Sequence, residues 1–297
     1  MHPISETAHA KINLTLRVLG RRPDGLHELH SIVAFADIGD TLMVMPRGAG
    51  SASRPASMSV EGPFGREIVG ENLVERALRM VEQAGGVPFD ADVVLDKRMP
   101  VASGIGGGSA DAAAMLRAMR SAGNAAFTDV DWAAIARSLG ADVPVCMGSR
   151  SALMTGTGEH IRPLDLPCLD ILLVNAREPV PADKTRRVFQ ALAARPLGKN
   201  VDTPSNAETR LDRARLLTAM RREGNDLESP ARGVLPSIAV VKEAVAGTDD
   251  CEIAVLSGAG PTIVGVYPTA ASAARAARSL ADVHPGWWIA AGKTLVA

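Results

Sequence analysis

Between Ala10 and Val18 the chain alternates, with Ile12, Leu14, Leu16 and Val18 on one face and Lys11, Asn13, Thr15 and Arg17 on the other. A period of two predicts a β-strand with one polar face. Arg21-Arg-Pro-Asp-Gly25 carries turn chemistry, and a second strand is predicted over 27–36. Residues 46–70 are rich in Pro, Gly and Ser and read as loop with room for one hairpin. Leu73, Ala77, Leu78 and Val81 fall at helical spacing, so a helix is predicted over 72–84, stopped by Gly85-Gly86. A strand over 91–95, a helix over 109–122 closed by Gly123-Asn124, and a helix over 131–139 ending at Gly140 follow.

From about residue 152 the pattern restarts. A strand over 170–174 and a helix over 184–193 precede a polar connection at 196–206. Helices are predicted over 209–222, 237–246 and 270–280, and strands over 253–256, 262–267 and 287–291. No internal repeat is evident. The restart places a soft boundary at 155–168, dividing the chain into an N-terminal domain, 1–160, and a C-terminal domain, 161–297. The longest uncharged stretch, 253–274, is broken by Gly258, Gly260, Pro261 and Pro268, so it reads as two short strands and a turn rather than a membrane span. Residues 1–10 have no apolar core and do not form a signal peptide.

Composition narrows the partners. At 297 residues the chain can bury two medium cores. Its 32 basic and 33 acidic side chains nearly cancel, and aromatics are 3%, which disfavours a nucleic-acid partner. Cys146, Cys168 and Cys251 show neither metal-ligand spacing nor a disulfide framework, so a reducing cytoplasm is the simplest home.

One segment stands out chemically: Pro100, Val101, Ala102, Ser103, Gly104, Ile105, Gly106, Gly107, Gly108, Ser109 and Ala110, between a predicted strand and a predicted helix. Glycines let backbone N–H groups approach a bulky ligand, and the helix N-terminus beyond them favours an anion. A polyphosphate suits such a loop; a flexible glycine turn that merely caps a helix has the same composition. Other glycine motifs fail. A P-loop needs Gly, four residues, then Gly-Lys-Ser/Thr, and Gly286 stands one residue too far from Gly292-Lys293-Thr294. The dinucleotide fingerprint has Ser109 where its third glycine belongs, and the hydrolase elbow has Asp111 where its last glycine belongs.

Two ionisable residues add to this. Lys11 lies on the polar face of the first strand, and Asp142 follows Gly140-Ala141 and precedes Pro144, a rigid exit that could fix its side chain. An aspartate beside an ammonium stays ionised and can accept a proton from an attacking hydroxyl. Either residue could equally be a solvated surface charge, and spacing alone does not pair them.

Taken together, Ala10-Lys-Ile-Asn-Leu14, Arg22-Pro-Asp-Gly-Leu-His-Glu-Leu29, Asp37-Ile-Gly-Asp-Thr41, Asn72-Leu-Val, the glycine loop, Leu139-Gly-Ala-Asp-Val-Pro144, Asn225-Asp-Leu-Glu228 and Ser257-Gly-Ala-Gly-Pro261 resemble the GHMP kinase superfamily, which includes galactokinase and the homoserine, mevalonate and phosphomevalonate kinases. They are most similar to its branch acting on a cytidyl diphosphate derivative of methylerythritol in the non-mevalonate isoprenoid pathway. The resemblance covers essentially the whole chain. It implies an α+β, two-domain GHMP kinase-like fold, with a ribosomal S5-like N-terminal domain and a ferredoxin-like C-terminal domain. It implies ATP with Mg²⁺ carried on the nucleotide, Pro100 to Ala110 as the ATP loop, and Lys11 with Asp142 as the catalytic pair. Asn13, His27, Thr185 and Phe189 match substrate-binding positions, Phe189 as a cytosine-stacking ring that is otherwise a plain core residue. The implied partner is a small-molecule cytidyl diphosphate, with no nucleic acid and no membrane. The sequence departs at Leu26, where the branch commonly has a tyrosine against the cytosine, and mildly at Ser103 and Ile105. Another kinase of the superfamily and a non-catalytic nucleotide-binding or RNA-binding protein on the same scaffold are the alternatives.

Overall fold

Three strands open the chain in the computed structural model, which describes residues 2–47, 56–70, 72–198 and 208–296. They are β1 (Ile4–Asn13), β2 (Arg17–Arg21) and β3 (His27–Pro46). The predicted first strand is therefore two, broken around Leu14–Leu16. The predicted turn joins β2 to β3, closed by the Arg22 N–H on Leu26 O at 2.7 Å. At 20 residues β3 runs well past Ala36. Asp37-Ile-Gly-Asp40 looks like turn chemistry, but Gly39 lies inside the strand against β1, where a Cβ would fall 2.5 Å from Ala8 O.

β4 (Ser57–Glu61) pairs in parallel with β5 (Ala91–Asp96), so the described part of the 46–70 stretch contributes a strand without a hairpin; the rest of that stretch lies outside the described residues. Between them α1 (Leu73–Gly85) starts at a capping box of Asn72 and Glu75 and stops at the left-handed Gly86. α2 (Gly107–Ser121), α3 (Trp132–Leu139, capped by Asp131) and the short α4 (Val143–Gly148) follow. Then come β6 (Ala152–Gly156), β7 (His160–Pro163), β8 (Asp170–Asn175), α5 (Lys184–Leu192), α6 (Arg213–Glu223), α7 (Glu228–Val234), α8 (Ser237–Ala246), β9 (Ile253–Leu256), β10 (Ile263–Tyr267), α9 (Ala270–Val283) and β11 (Trp288–Lys293). Most of the polar connection expected at 196–206 lies outside the described residues. Among the described residues no helix is long and apolar enough to cross a membrane.

Two compact units form. The first comprises Met1–Ala10, Gly39–Val101 and Gly106–Ser149, and the second Lys11–Ile38, Ala102–Ile105 and Arg150–Ala297. In the first, residues 41–46 of β3 pair antiparallel with β5, and α2 packs against α1, α3 and α4. The alanines of α2 keep that contact close: Ala112, Ala113, Ala114, Met115, Leu116 and Met119 are fully buried, as are Leu42, Val44 and Leu95 of the sheet.

In the second unit, β2 and β6 flank the start of β3 and β7 lies outside β6, all antiparallel. A second sheet has the order β11-β8-β10-β9, also antiparallel throughout. Read from β8, this is the β-α-β-β-α-β arrangement of a ferredoxin-like fold, as the resemblance implied. Val174 and Ile263, opposite one another in β8 and β10, join a core with Leu235, Ile238 and Val241 around α7 and α8. Tyr267, the single tyrosine, is buried in it with its hydroxyl on Thr248 at 2.7 Å, and burial pushes its pKa up.

The first unit also buries three charges. Lys97 Nζ donates to Asp111 Oδ2 at 2.7 Å and to Asp40 Oδ2, and the backbone N–H groups of Arg98 and Met99 donate to Asp40 Oδ1 at 2.5 and 2.7 Å. One cation faces two carboxylates. Asp40 has the fuller set of donors, whereas Asp111 Oδ1 has no hydrogen-bond partner among the described residues. Burial first, with Asp40 adding to it, pushes the Asp111 carboxyl up to about 7, while the two carboxylates hold Lys97 charged. The group fixes the start of α2, since a Cβ on Gly107 would lie 3.1 Å from Lys97 Nζ.

Lys97→Met strands two buried carboxylates and is expected to cost about 3–5 kcal/mol in urea unfolding. Asp111→Asn removes the surplus negative charge instead. A carboxyl raised from 3.8 to about 7 in the fold gives stability that is complete below pH 4 and lost as pH rises through 7. Asp111→Asn is therefore expected to gain stability relative to wild type as pH rises from about 4 to about 7 and to hold that gain above, a trend that unfolding curves across that range would reveal.

Candidate active site

The polar face of the first strand is buried. Lys11, Asn13 and Thr15 are 4%, 5% and 1% exposed, which excludes a solvated lysine. Burial is tolerated because the polar groups satisfy one another. Lys11 Nζ donates to Asn13 Oδ1 at 3.1 Å, Asn13 Nδ2 donates to Ser31 Oγ at 2.7 Å, and Ser31 Oγ donates to Thr15 O at 2.5 Å. The Ile32 N–H closes the ladder on Thr15 Oγ1 at 3.1 Å.

This ladder meets the glycine loop. The Lys11 N–H donates to Ile105 O at 2.9 Å, Ser257 Oγ to Gly104 O at 2.9 Å, the Thr262 N–H to Ser103 O at 3.1 Å, and Lys184 Nζ to Ala102 O at 3.0 Å. Four successive carbonyls, 102–105, are thus held by donors of the second unit. A peptide whose C=O is fixed on one side presents the following N–H elsewhere, and among the described residues nothing accepts from the N–H groups of Gly104 to Ser109. Close approach demands glycine at 104: φ is +81°, and a Cβ would fall 2.5 Å from Gly260 O. Ser257-Gly-Ala-Gly-Pro261 is therefore the backing on which the loop is built. Gly106, at φ +67°, caps α2 without a side chain, so the first N–H groups of that helix stay unsatisfied among the described residues. Free N–H groups at a helix N-terminus constitute an anion site.

Asp142 belongs to the first unit. α3 ends at Gly140, and Asp142 is the N-cap of α4, half-buried, with a carboxylate that does not cap its own helix. Pro144 is not the exit foreseen from the sequence. It occupies the first turn of α4, where a missing N–H costs nothing. Arg117 fixes α4 by donating to Cys146 O at 2.9 Å while pairing with Glu6 at 2.7 Å; the Cys146 thiol is fully buried.

His27 and Phe189 meet in the second unit with ring centroids 4.7 Å apart and planes tilted by 33°. Phe189 also packs on the ferredoxin-like core, so it is at least in part the core residue that the sequence allowed. Burial, then the charge of Arg21, lowers the His27 pKa and keeps the ring neutral at pH 7. Leu26 beside it is 53% exposed. Thr185 is exposed in the first turn of α5, and its hydroxyl joins no hydrogen bond among the described residues. The structure thus gathers Lys11, Asn13 and residues 102–105, and separately His27 with Phe189.

Sequence reading missed Lys184, Ser31 and the Lys97–Asp40–Asp111 group. Lys184 resembles any polar helix start. Asp40 and Asp111 stood inside quoted motifs, and a lysine directly after an alternating strand was the remaining signal.

Residues 72–150 match the family described as GHMP kinases N terminal domain. The 4-diphosphocytidyl-2-C-methyl-D-erythritol kinase of Parvibaculum lavamentivorans is 46% identical, with 97% of each chain covered. The kinase of the same name from Rhodopseudomonas palustris is 42% identical over 97% of this chain and 96% of its own. Among solved structures, a 4-(cytidine 5'-diphospho)-2C-methyl-D-erythritol kinase superposes with a TM-score of 0.77 at 32% identity, covering 99% of this chain and 100% of that one. Homoserine kinase from Cytophaga hutchinsonii, at 16% identity, 0.70 TM-score and coverage of 100% and 95%, shares the fold. With a GHMP kinase fold and relatives this similar over nearly its full length, the chain belongs to the 4-diphosphocytidyl-2-C-methyl-D-erythritol kinase family.

Proposed function

We propose that this chain transfers the γ-phosphoryl group of ATP to the 2-hydroxyl of 4-diphosphocytidyl-2-C-methyl-D-erythritol, in the methylerythritol phosphate route to isoprenoids and in the cytoplasm. The observation that carries the reading is the loop with its carbonyls bound at 102–105 and its N–H groups open from Gly104 to Ser109, in a chain 46% identical to a kinase of that name. The loop and Asp142 fall in residues 1–160 and the Phe189 platform in 161–297, the two functional domains of the proposal.

Phosphoryl transfer requires a cradle, an oriented hydroxyl and charge stabilisation more than covalent help. The loop N–H groups bind the β- and γ-phosphates. Asp142 takes the 2-hydroxyl proton as its oxygen bonds to phosphorus and the bond to ADP breaks. Lys11, the charge partner in this reading, stabilises the negative charge that builds on the attacking oxygen. Asn13 binds the methylerythritol part, and Phe189, with His27 and Thr185, takes the cytosine. The Ser109 hydroxyl, half-buried in the first turn of α2, is of the donor type that fits a hard cation arriving on the nucleotide. Ser109 would help hold Mg²⁺ brought in with ATP, and the ion would supply neutralisation of phosphate charge.

Asp142→Asn is expected to bind ATP normally and lose turnover by about 10²–10⁴-fold. Coupled-assay turnover close to wild type would remove Asp142 from the role. Gly108 tests the cradle, because it is exposed and a Cβ there meets only Leu73 at 3.7 Å. Gly108→Val should fold with an unchanged melting temperature yet bind ATP about tenfold more weakly or worse, its methyl groups standing where phosphate approaches. Unaltered nucleotide affinity in calorimetry would contradict the cradle.

A further inference from the structure

Lys184 opens α5 and is 4% exposed. Its Nζ donates to Ala102 O at 3.0 Å and to Gly260 O, and among the described residues no carboxylate pairs with it. Three features of this position work against stability. A buried ammonium is costly without a counter-charge, and desolvation lowers its pKa to about 8. A cation at a helix N-terminus opposes the helix dipole. The residue it holds, Ala102, is a non-glycine at φ +55°. Two carbonyl hydrogen bonds offset part of these costs without supplying a counter-charge, and such exceptions concentrate at functional positions.

What the ammonium does is join two loops of the second unit. It binds the first carbonyl of the run 102–105 and a carbonyl of the backing segment 257–261, whose Ser257 holds Gly104. Fixing the Ala102 carbonyl fixes the plane of the peptide that carries the Ser103 N–H, and the strained φ at Ala102 is kept from relaxing. The cation also leaves a positive charge, unneutralised by protein, at the base of a loop whose N–H groups await an anion.

We propose that Lys184 is a positioning residue for nucleotide binding, a clamp that holds the glycine loop in its anion-binding form and whose missing counter-charge the polyphosphate supplies. The proposal rests on the kinase reading for the identity of the anion.

In the full-length protein, Lys184→Met is expected to raise the calorimetric Kd and the KM for ATP about tenfold or more, the scale of losing a charged hydrogen-bond donor, with the KM for the cytidyl substrate within about twofold of wild type. Lys184→Cys followed by aminoethylation with bromoethylamine rebuilds an ammonium of nearly lysine length and should restore ATP affinity; wild type treated in parallel controls for the native cysteines. An ATP Kd in Lys184→Met close to wild type overturns the clamp. So does a matched rise in both KM values with a lower melting temperature that aminoethylation leaves unrepaired, the mark of a purely structural lysine. The ATP Kd judges the clamp, and turnover of the cytidyl substrate by wild type judges the kinase reading, so the two fail separately.

Discussion

The proposed anion site depends on where four carbonyls point. A glycine run by itself is a floppy chain whose peptide planes average over many orientations, and its N–H groups are as often turned in as out. Here Lys184, Thr262, Ser257 and Lys11 each take one carbonyl from Ala102 to Ile105. These donors come from three separate segments of the second unit: β1, the start of α5 and the connection between β9 and β10. The order that makes the loop useful is therefore imposed from outside it.

The same economy governs the buried polar ladder. Lys11, Asn13, Thr15 and Ser31 fill a region that aliphatic side chains could have filled, and each makes a hydrogen bond that keeps burial tolerable. Asn13 ties the ladder to the loop backing through its N–H on Ser257 Oγ at 3.2 Å. Positioned groups of this kind need little rearrangement when charge develops near them, which is the condition for electrostatic catalysis. In the first unit Lys97 and its two carboxylates fix the other end of the loop, where α2 begins.

Much of this was legible in the sequence, and the rest was not for identifiable reasons. Asn72 with Glu75 and the 3.6-residue spacing of Leu73, Ala77 and Leu78 marked α1 almost to the residue, because helix ends carry local signals. Ser237–Ala246 and Ile253–Leu256 were readable in the same way. Strand β3 was cut short because Asp37-Ile-Gly-Asp40 has turn composition, and only the neighbouring strand explains a glycine there. α4 and α7 were invisible, being too short for periodicity to register. The loop itself was obvious; its carbonyl partners were not, since Gly104 and Ser257 lie 153 residues apart and no pattern links them. Alternation placed Lys11 on a polar face correctly but could not say that the face is interior.

The second unit draws on both ends of the chain. The Leu295 N–H donates to Phe35 O at 2.7 Å, and the loop backing arrives only with residues 257–261. During synthesis the glycine run therefore leaves the ribosome long before the groups that orient it. A nascent or truncated chain ending anywhere before that backing would carry the recognisable nucleotide signature with no means of using it. The four-carbonyl arrangement would be complete only once residues 257–262 are in place.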